Sequence, residues 1–177
     1  MEYINECRLL VAQAIPEHED LGHTVHSKSA AAHAFVAEKV KYIRDPKGIE
    51  LHYSPERIYT RLLAGESVLE DCDSFSSLTL AMLWALGVNA NLVLAGYQPL
   101  PKTRGIPRYQ HVFAQAYQPS IDGNKARWVA VDPSLGDRAK EMCQRIRVSL
   151  ILDPFRHLPS KRPKKKKGTR RASDSHH

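Results

Sequence analysis

The chain has 177 residues, of which 42% are hydrophobic and 25% are charged. This composition is typical of a soluble globular protein, and the length suits one domain with a substantial core better than two. No stretch approaches the roughly 18 consecutive apolar residues that a membrane-spanning helix requires, so we expect no contact with a membrane. The three cysteines, Cys7, Cys72 and Cys143, are an odd number without a CxxC pair. This argues against a disulfide framework or a thiolate zinc site and favours a reducing cytoplasm.

The net charge of +7 is concentrated at the C-terminal end of the chain. Residues 156–177 carry nine lysines and arginines against one acid, whereas residues 1–155 carry 17 basic and 18 acidic residues. A segment with so few apolar groups to bury is typically disordered. We therefore divide the chain into a domain, residues 1–155, and a basic tail, residues 156–177. The tail could bind nucleic acid or another polyanion, or it could only aid solubility; its densest basic cluster is Lys164, Lys165, Lys166, Lys167, Arg170 and Arg171.

The first half of the chain is predicted to be helical. Ser27 or Ser29 can cap one helix, and Ser54 followed by Pro55 is a typical start for another. The last of the helices is strongly apolar, so we expect it to be the central, buried helix of the domain. Apolar residues at helical spacing predict four helices over residues 2–15, 29–43, 54–66 and 72–87.

After Gly87 the hydrophobic pattern changes from helical spacing to alternation. Three segments predict strands, and the short connections between them favour an antiparallel meander; they are residues 89–97, 110–117 and 127–134. Residues 147–155 could add a further strand or an apolar lid. Helices followed by strands predict an α+β fold in which helices pack on one face of the sheet.

Three residues on these elements form a combination typical of nucleophilic catalysis. Cys72 lies in the first turn of its helix, where unpaired N–H groups and the helix dipole favour a thiolate. Asp71 and Asp73 oppose this only if they face the sulfur, and carboxylates at a helix start normally turn to cap backbone N–H groups. His111 begins one strand as a possible base, and Asp132 ends the next strand as its orienting acid. Cys72, His111 and Asp132 therefore predict a nucleophile, a general base and an orienter.

These motifs resemble those of the transglutaminase-like cysteine protease domains, a compact superfamily related to papain. Members typically carry Gly-Asp-Cys-Asp-Asp at the start of a hydrophobic helix, then a His at a strand start and a strand ending in Asp-Pro. Here "EDCDSF", "HVFAQAY" and "WVAVDPS" occupy these places, so the resemblance covers residues 28–135. The upstream sequence resembles the variety encoded by bacteriophages and prophages. Glu70 replaces the usual Gly and Ser74 the second Asp, which puts efficiency in doubt more than the class of reaction.

The resemblance implies acyl transfer on an amide of a peptide or protein. Cys72 would attack the carbonyl, while His111 carries the proton and Asp132 orients the imidazole. The Cys72 backbone N–H is a natural oxyanion donor, and Tyr53 is a candidate for the second donor. With water as the acceptor the protein is a peptidase or amidase, which analogy with compact members favours; with a lysine amine it is a cross-linking transglutaminase.

Other interpretations stay open at this point. Cys72 could be an ordinary buried cysteine, and Cys7 and Cys143 are expected to be structural. The scattered histidines match no zinc signature, so we expect neither a metal nor a cofactor. The alternative function is an inert phage structural or assembly protein that keeps the fold for binding, located in the host cytoplasm or the virion. A nucleic-acid-binding function would depend on the tail alone.

Overall fold

The computed structural model describes residues 24–47, 49, 51–97, 109–120, 123 and 125–152. The predicted helix over residues 2–15, Cys7 and the basic tail lie outside this part of the chain, so the predictions made for them are unchanged. None of the helices in the described ranges is both long enough and apolar enough to cross a lipid bilayer.

The described residues form an α+β domain, as predicted. Helices dominate up to residue 85 and an antiparallel sheet follows. In chain order the elements are α1 (Val25–Lys39), β1 (Val40–Tyr42), α2 (Pro55–Leu63), β2 (Val68–Glu70), α3 (Cys72–Ala85), β3 (Ala90–Gly96), β4 (His111–Gln118), β5 (Arg127–Val131), α4 (Ala139–Gln144) and β6 (Val148–Leu152).

The helix predicted over residues 29–43 differs from the observed one at both ends. Its N-cap is Thr24, whose hydroxyl accepts a hydrogen bond from the backbone N–H of Ser27, so neither predicted cap is right. The helix ends at Lys39, because Val40–Tyr42 pair in parallel with Val68–Glu70 as a small two-stranded sheet. Helical spacing continues through these residues, but pairing with a distant segment decides their conformation.

Helix α3 forms the centre of the hydrophobic core. Phe75, Leu78 and Leu83 are each at most 2% exposed, and the core around them also takes in side chains from α1, α2 and the sheet. The helix ends before Gly87, whose positive φ of 73° suits a residue without a side chain. The predicted central helix is therefore confirmed.

The main sheet has the strand order β5-β4-β3-β6, and each neighbouring pair is antiparallel. The predicted meander of three strands is thus present as β3, β4 and β5, and residues 148–152 add an edge strand rather than a lid. The strand that begins with His111 lies beside the strand that leads into Asp132. The sheet therefore brings these two side chains to one region of the domain.

Candidate active site

Cys72 is the first residue of α3, and both neighbouring aspartates cap that helix. Asp71 is the N-cap and accepts from the backbone N–H of Asp73 at 3.3 Å. Asp73 accepts from the backbone N–H of Ser74 at 2.6 Å, and its other oxygen lies 3.4 Å from His52 Nδ1. Both carboxylates are thus engaged with backbone donors, as the sequence predicted. This lessens their conflict with a negatively charged sulfur.

The strand before the helix holds Cys72 against β1. In the parallel pair, Tyr42 lies opposite Glu70, and the backbone N–H of Ile43 donates to the Glu70 carbonyl at 2.9 Å. Cys72 follows Glu70 by two residues, so the end of β1 lies next to the thiol. Tyr42 therefore belongs to the surroundings of the nucleophile.

His111 is the first residue of β4 and is only 9% exposed. The ring centres of Tyr97 and Phe113 lie 6.3 and 6.1 Å from that of its imidazole. One turn into α3, the Ser76 hydroxyl lies 2.5 Å from the carbonyl oxygen of Cys72 and 2.8 Å from that of Val112, so its single proton is shared between the helix and this strand. The imidazole and Cys72 line the same cleft, and interaction with the Cys72 side chain favours the protonated ring.

Asp132 follows β5 directly and is hydrogen-bonded to the imidazole of His111. Its Oδ2 lies 2.6 Å from Nε2 of His111, and the two side chains are 2% and 7% exposed. Its Oδ1 accepts from the Ser134 hydroxyl at 2.7 Å and from the Ser134 backbone N–H at 3.2 Å. The structure therefore brings Cys72, His111 and Asp132 together in the order that the sequence predicted.

The surroundings of His111 favour its protonated form. Burial opposes the charge, but hydrogen bonds to Asp132 and Cys72, together with their negative charges, raise the pKa of His111 to about 9. A histidine with this pKa carries its proton at neutral pH. It can therefore form an ion pair with a Cys72 thiolate and give its proton to a leaving group.

Asp71 is harder to ionise than an ordinary aspartate. Burial raises its pKa from 3.8 to about 6, with a further increase from the hydrogen bond to Asp73 and the charge of that carboxylate. Hydrogen bonds from the backbone N–H groups of Asp73 and Ser74 act in the opposite direction.

An open cleft of about 510 Å³ gives access to Cys72, which is partly exposed. Tyr42 forms part of its wall; burial and the charge of Cys72 raise the pKa of this phenol, and a hydrogen bond from Arg44 lowers it. The cleft is lined by Tyr42, Arg44, Asp45, Asp71, Cys72, Asp73, Leu94, Tyr109, Gln110, His111 and Val112. Polar and aromatic side chains of this kind are typical of a site that orients a polar substrate.

Tyr53, the sequence-based candidate for an oxyanion donor, is not among the residues that line this cleft. Its ring lies under the guanidinium of Arg57, 4.3 Å from the ring centre, and its backbone N–H donates to Ser74 Oγ at 3.4 Å. Sequence reasoning missed Tyr42 instead. The only signal that could have identified it was an aromatic residue at the end of a short strand that pairs with the segment before the nucleophile.

The two departures from the family pattern lie beside the nucleophile, in the interior. The Glu70 side chain is 2% exposed and pairs with Nη1 of Arg61 at 3.3 Å. Burial raises the pKa of Glu70, while a hydrogen bond with Ser74 and the charge of Arg61 lower it. Ser74 is fully buried. Both residues thus help to hold the start of α3 and leave the cleft free.

Comparison with known proteins agrees with this architecture. A model of the transglutaminase-like superfamily matches residues 13–133, more than half of the chain and a range that includes Cys72, His111 and Asp132. Among solved structures, the chain is similar to a "Putative Cysteine Protease" from Cytophaga hutchinsonii, with 18% identity and a TM-score of 0.46, over 84% of this chain and 46% of that one. The chain thus spans less than half the length of that protein. A search of curated proteins finds no match. On the match to the family model, the chain belongs to the transglutaminase-like superfamily.

Proposed function

We propose that the protein is a cysteine-dependent enzyme that transfers the acyl group of an amide, most often to water, and so acts as a peptidase or amidase. One observation supports this proposal above the others. Cys72 and the buried His111 line one open cleft, and His111 is hydrogen-bonded to the buried carboxylate of Asp132 at 2.6 Å. These are the parts of a nucleophile, a proton carrier and an orienter.

The reaction proceeds in two halves. The Cys72 thiolate attacks the amide carbon, and His111 gives its proton to the nitrogen as the carbon–nitrogen bond breaks. This releases the amine and leaves a thioester on Cys72. Water then attacks the thioester while His111 removes its proton, and the carboxylic acid leaves as the thiolate forms again. Asp132 keeps the imidazole oriented and stabilises its positive charge throughout.

The oxyanion formed in each half needs two donors. The backbone N–H of Cys72 is at the first position of a helix, where no acceptor within the helix is available. We assign the second donor to the Tyr42 hydroxyl in place of Tyr53. Tyr42 lines the same cleft as Cys72, so its hydroxyl can donate to a substrate carbonyl bound there.

The alternative is an inert binding protein that keeps the fold, and the site argues against it. In an inert protein we would expect the nucleophile to be covered or separated from its base, whereas Cys72 is partly exposed and lines the same cleft as His111. Water as the acceptor is supported by the openness of the cleft, because solvent can reach the thioester. A substrate amine remains the second acceptor to test.

The test uses a peptide that carries a thiol-reactive electrophile in place of the scissile amide. We expect labelling of Cys72, located by mass spectrometry, and its loss in Cys72→Ala. Cys143→Ala is the matched control and should be labelled like the wild type. Adding a primary amine to reactions with a peptide ester should leave the acid as the main product. Labelling of Cys7 or Cys143 alone would contradict the proposed function.

A further inference from the structure

We propose that Ser134 is a positioning residue that holds the Asp132 carboxylate in the orientation His111 requires. This inference rests on the proposed function, because it assigns a further residue to the same site. Ser134 is not among the residues that line the cleft, and its hydroxyl is bonded to Asp132, so we assign it a role exerted through Asp132.

The two oxygens of Asp132 have separate partners. Oδ2 bonds to His111, whereas Oδ1 accepts from both the hydroxyl and the backbone N–H of Ser134, at 2.7 and 3.2 Å. Rotation of an aspartate carboxylate about its Cβ–Cγ bond has broad energy minima. A single hydrogen bond to an imidazole therefore does not fix the orientation of the carboxylate plane. Donors on the second oxygen remove that freedom and define the plane that faces the ring.

Burial makes the serine hydroxyl difficult to replace. The Asp132 side chain is 2% exposed, so water has little access to Oδ1. A buried carboxylate is costly unless its oxygens accept hydrogen bonds. Without the hydroxyl, Oδ1 would retain only the longer hydrogen bond from the Ser134 backbone N–H. The carboxylate would then be favoured to rotate towards another hydrogen-bond donor.

The local sequence explains how one residue supplies both donors. Asp132 is followed by Pro133, which has no N–H to compete for the carboxylate and whose fixed φ favours a turn. The N–H and the hydroxyl of Ser134 then both donate to Oδ1 of Asp132. Aspartates in turns commonly accept a hydrogen bond in this way from the residue two positions later. The other oxygen of Asp132, Oδ2, is bonded to His111. The same carboxylate therefore takes part in both the turn and the site.

The experiment compares Ser134→Ala with Ser134→Thr, which keeps the hydroxyl, and with Asp132→Ala, which removes the carboxylate. Two properties are measured: the rate at which iodoacetamide alkylates Cys72 near pH 6, and the downfield N–H proton resonance of His111. We expect Ser134→Ala to slow alkylation roughly tenfold, the usual scale for losing a hydrogen bond to a charged group. The resonance should broaden or vanish, because the proton then exchanges with water. Ser134→Thr should retain both properties.

Thr24→Ala is the matched control for lost stability. It removes the N-cap of α1. This cap lies near the C-terminal end of α3, where Lys28 donates to the carbonyl of Leu86, and Cys72 is at the opposite end of that helix. It should lower the melting temperature as much as Ser134→Ala and leave both site properties unchanged.

The proposal is overturned if Ser134→Ala keeps the His111 resonance and alkylates within about twofold of the wild type, the scatter expected of surface substitutions. Failure of the proposed function gives a different result. In that case wild-type Cys72 would react like an ordinary thiol, while the resonance would still report whether Ser134 holds the Asp132–His111 pair.

Discussion

At the scale of single residues, the site depends on which charges the fold favours. His111 gains two partners on folding, and its pKa rises from 6.5 to about 9. The stabilisation that this shift gives the fold is complete below the unfolded pKa of about 6.5 and is lost as the pH rises through 9. The protonated imidazole is also the acid that the leaving amine needs. Fold and reaction therefore favour the same protonation state at neutral pH.

Asp71 shows the opposite relation between ionisation and stability. Its pKa in the fold is about 6, against 3.8 for a free side chain, so ionising it costs stability. The loss of stability is absent below pH 3.8, grows as the pH rises from 3.8 to about 6, and is complete above about pH 6. Asp71→Asn keeps a good N-cap and removes the charge. We expect it to raise the free energy of unfolding at pH 7 by about 1 kcal/mol, a figure reduced for solvent screening of this partly exposed group.

Chemical denaturation of both proteins at pH 7 and at pH 4 checks this expectation. The increase in the free energy of unfolding should be present at pH 7 and nearly absent at pH 4. At pH 4 the Asp71 carboxyl of the folded wild type is protonated and therefore as neutral as the asparagine amide. Equal gains at both values would mean that the effect comes from packing or capping and not from charge.

At the scale of elements, the join between α3 and β4 sets the distance from nucleophile to base. Cys72 begins the helix and His111 begins the strand, and the Ser76 hydroxyl connects the two elements. Its neighbour Ser77 donates instead to the carbonyl of Ser74, at 3.0 Å within the helix. Ser76 is buried, and its hydroxyl reaches both the Cys72 carbonyl of its own helix and the Val112 carbonyl of β4, whereas the hydroxyl of the less buried Ser77 stays within the helix.

Ser76→Ala should therefore be costly and Ser77→Ala nearly neutral. Losing Ser76 leaves the buried Val112 carbonyl without this donor, which should lower the free energy of unfolding by about 1–3 kcal/mol. It should also slow alkylation of Cys72, since the helix start can then move relative to His111. Ser77→Ala is expected to change stability by less than about 0.5 kcal/mol. Equal effects of the two substitutions would show that the hydroxyl of Ser76 does not hold the elements together.

Sequence could predict elements whose signals are local, and it failed where pairing is distant. The cap and proline at Ser54 and Pro55 and the strand that starts at His111 are readable from adjacent residues. The β1–β2 pair joins two three-residue segments far apart in the chain, and neither carries a distinctive pattern. The same gap explains why the sequence does not single out Tyr42, which lines the cleft. Trp128 lies against the Tyr117 ring and is still 41% exposed, because edge strand β5 buries little.

At the scale of the whole molecule, the charge is divided between a nearly neutral domain and a strongly basic C-terminal segment. Residues 156–177 carry nine basic side chains against one acid. We propose that this segment binds a polyanion such as nucleic acid, independently of the cleft. Because the segment has few apolar residues that could be buried, we expect binding and stability to separate on truncation.

Deleting residues 160–177 tests this division. The melting temperature should stay nearly unchanged, as should labelling of Cys72. Binding to a DNA or RNA oligonucleotide should fall sharply, and the dependence of the remaining affinity on salt should flatten. A large loss of thermal stability would instead mean that the segment packs on the domain.

The central claim is that His111 makes Cys72 a nucleophile at a pH where ordinary thiols are inert. The most direct measurement is the rate of Cys72 alkylation by iodoacetamide as a function of pH, in the wild type and in His111→Ala. The wild type should react appreciably at about pH 6, where a thiol with a pKa near 8.5 is almost wholly protonated. His111→Ala should follow the profile of such a free thiol. If wild-type Cys72 reacts no faster than Cys7 or Cys143 at that pH, and His111→Ala changes nothing, the claim is wrong.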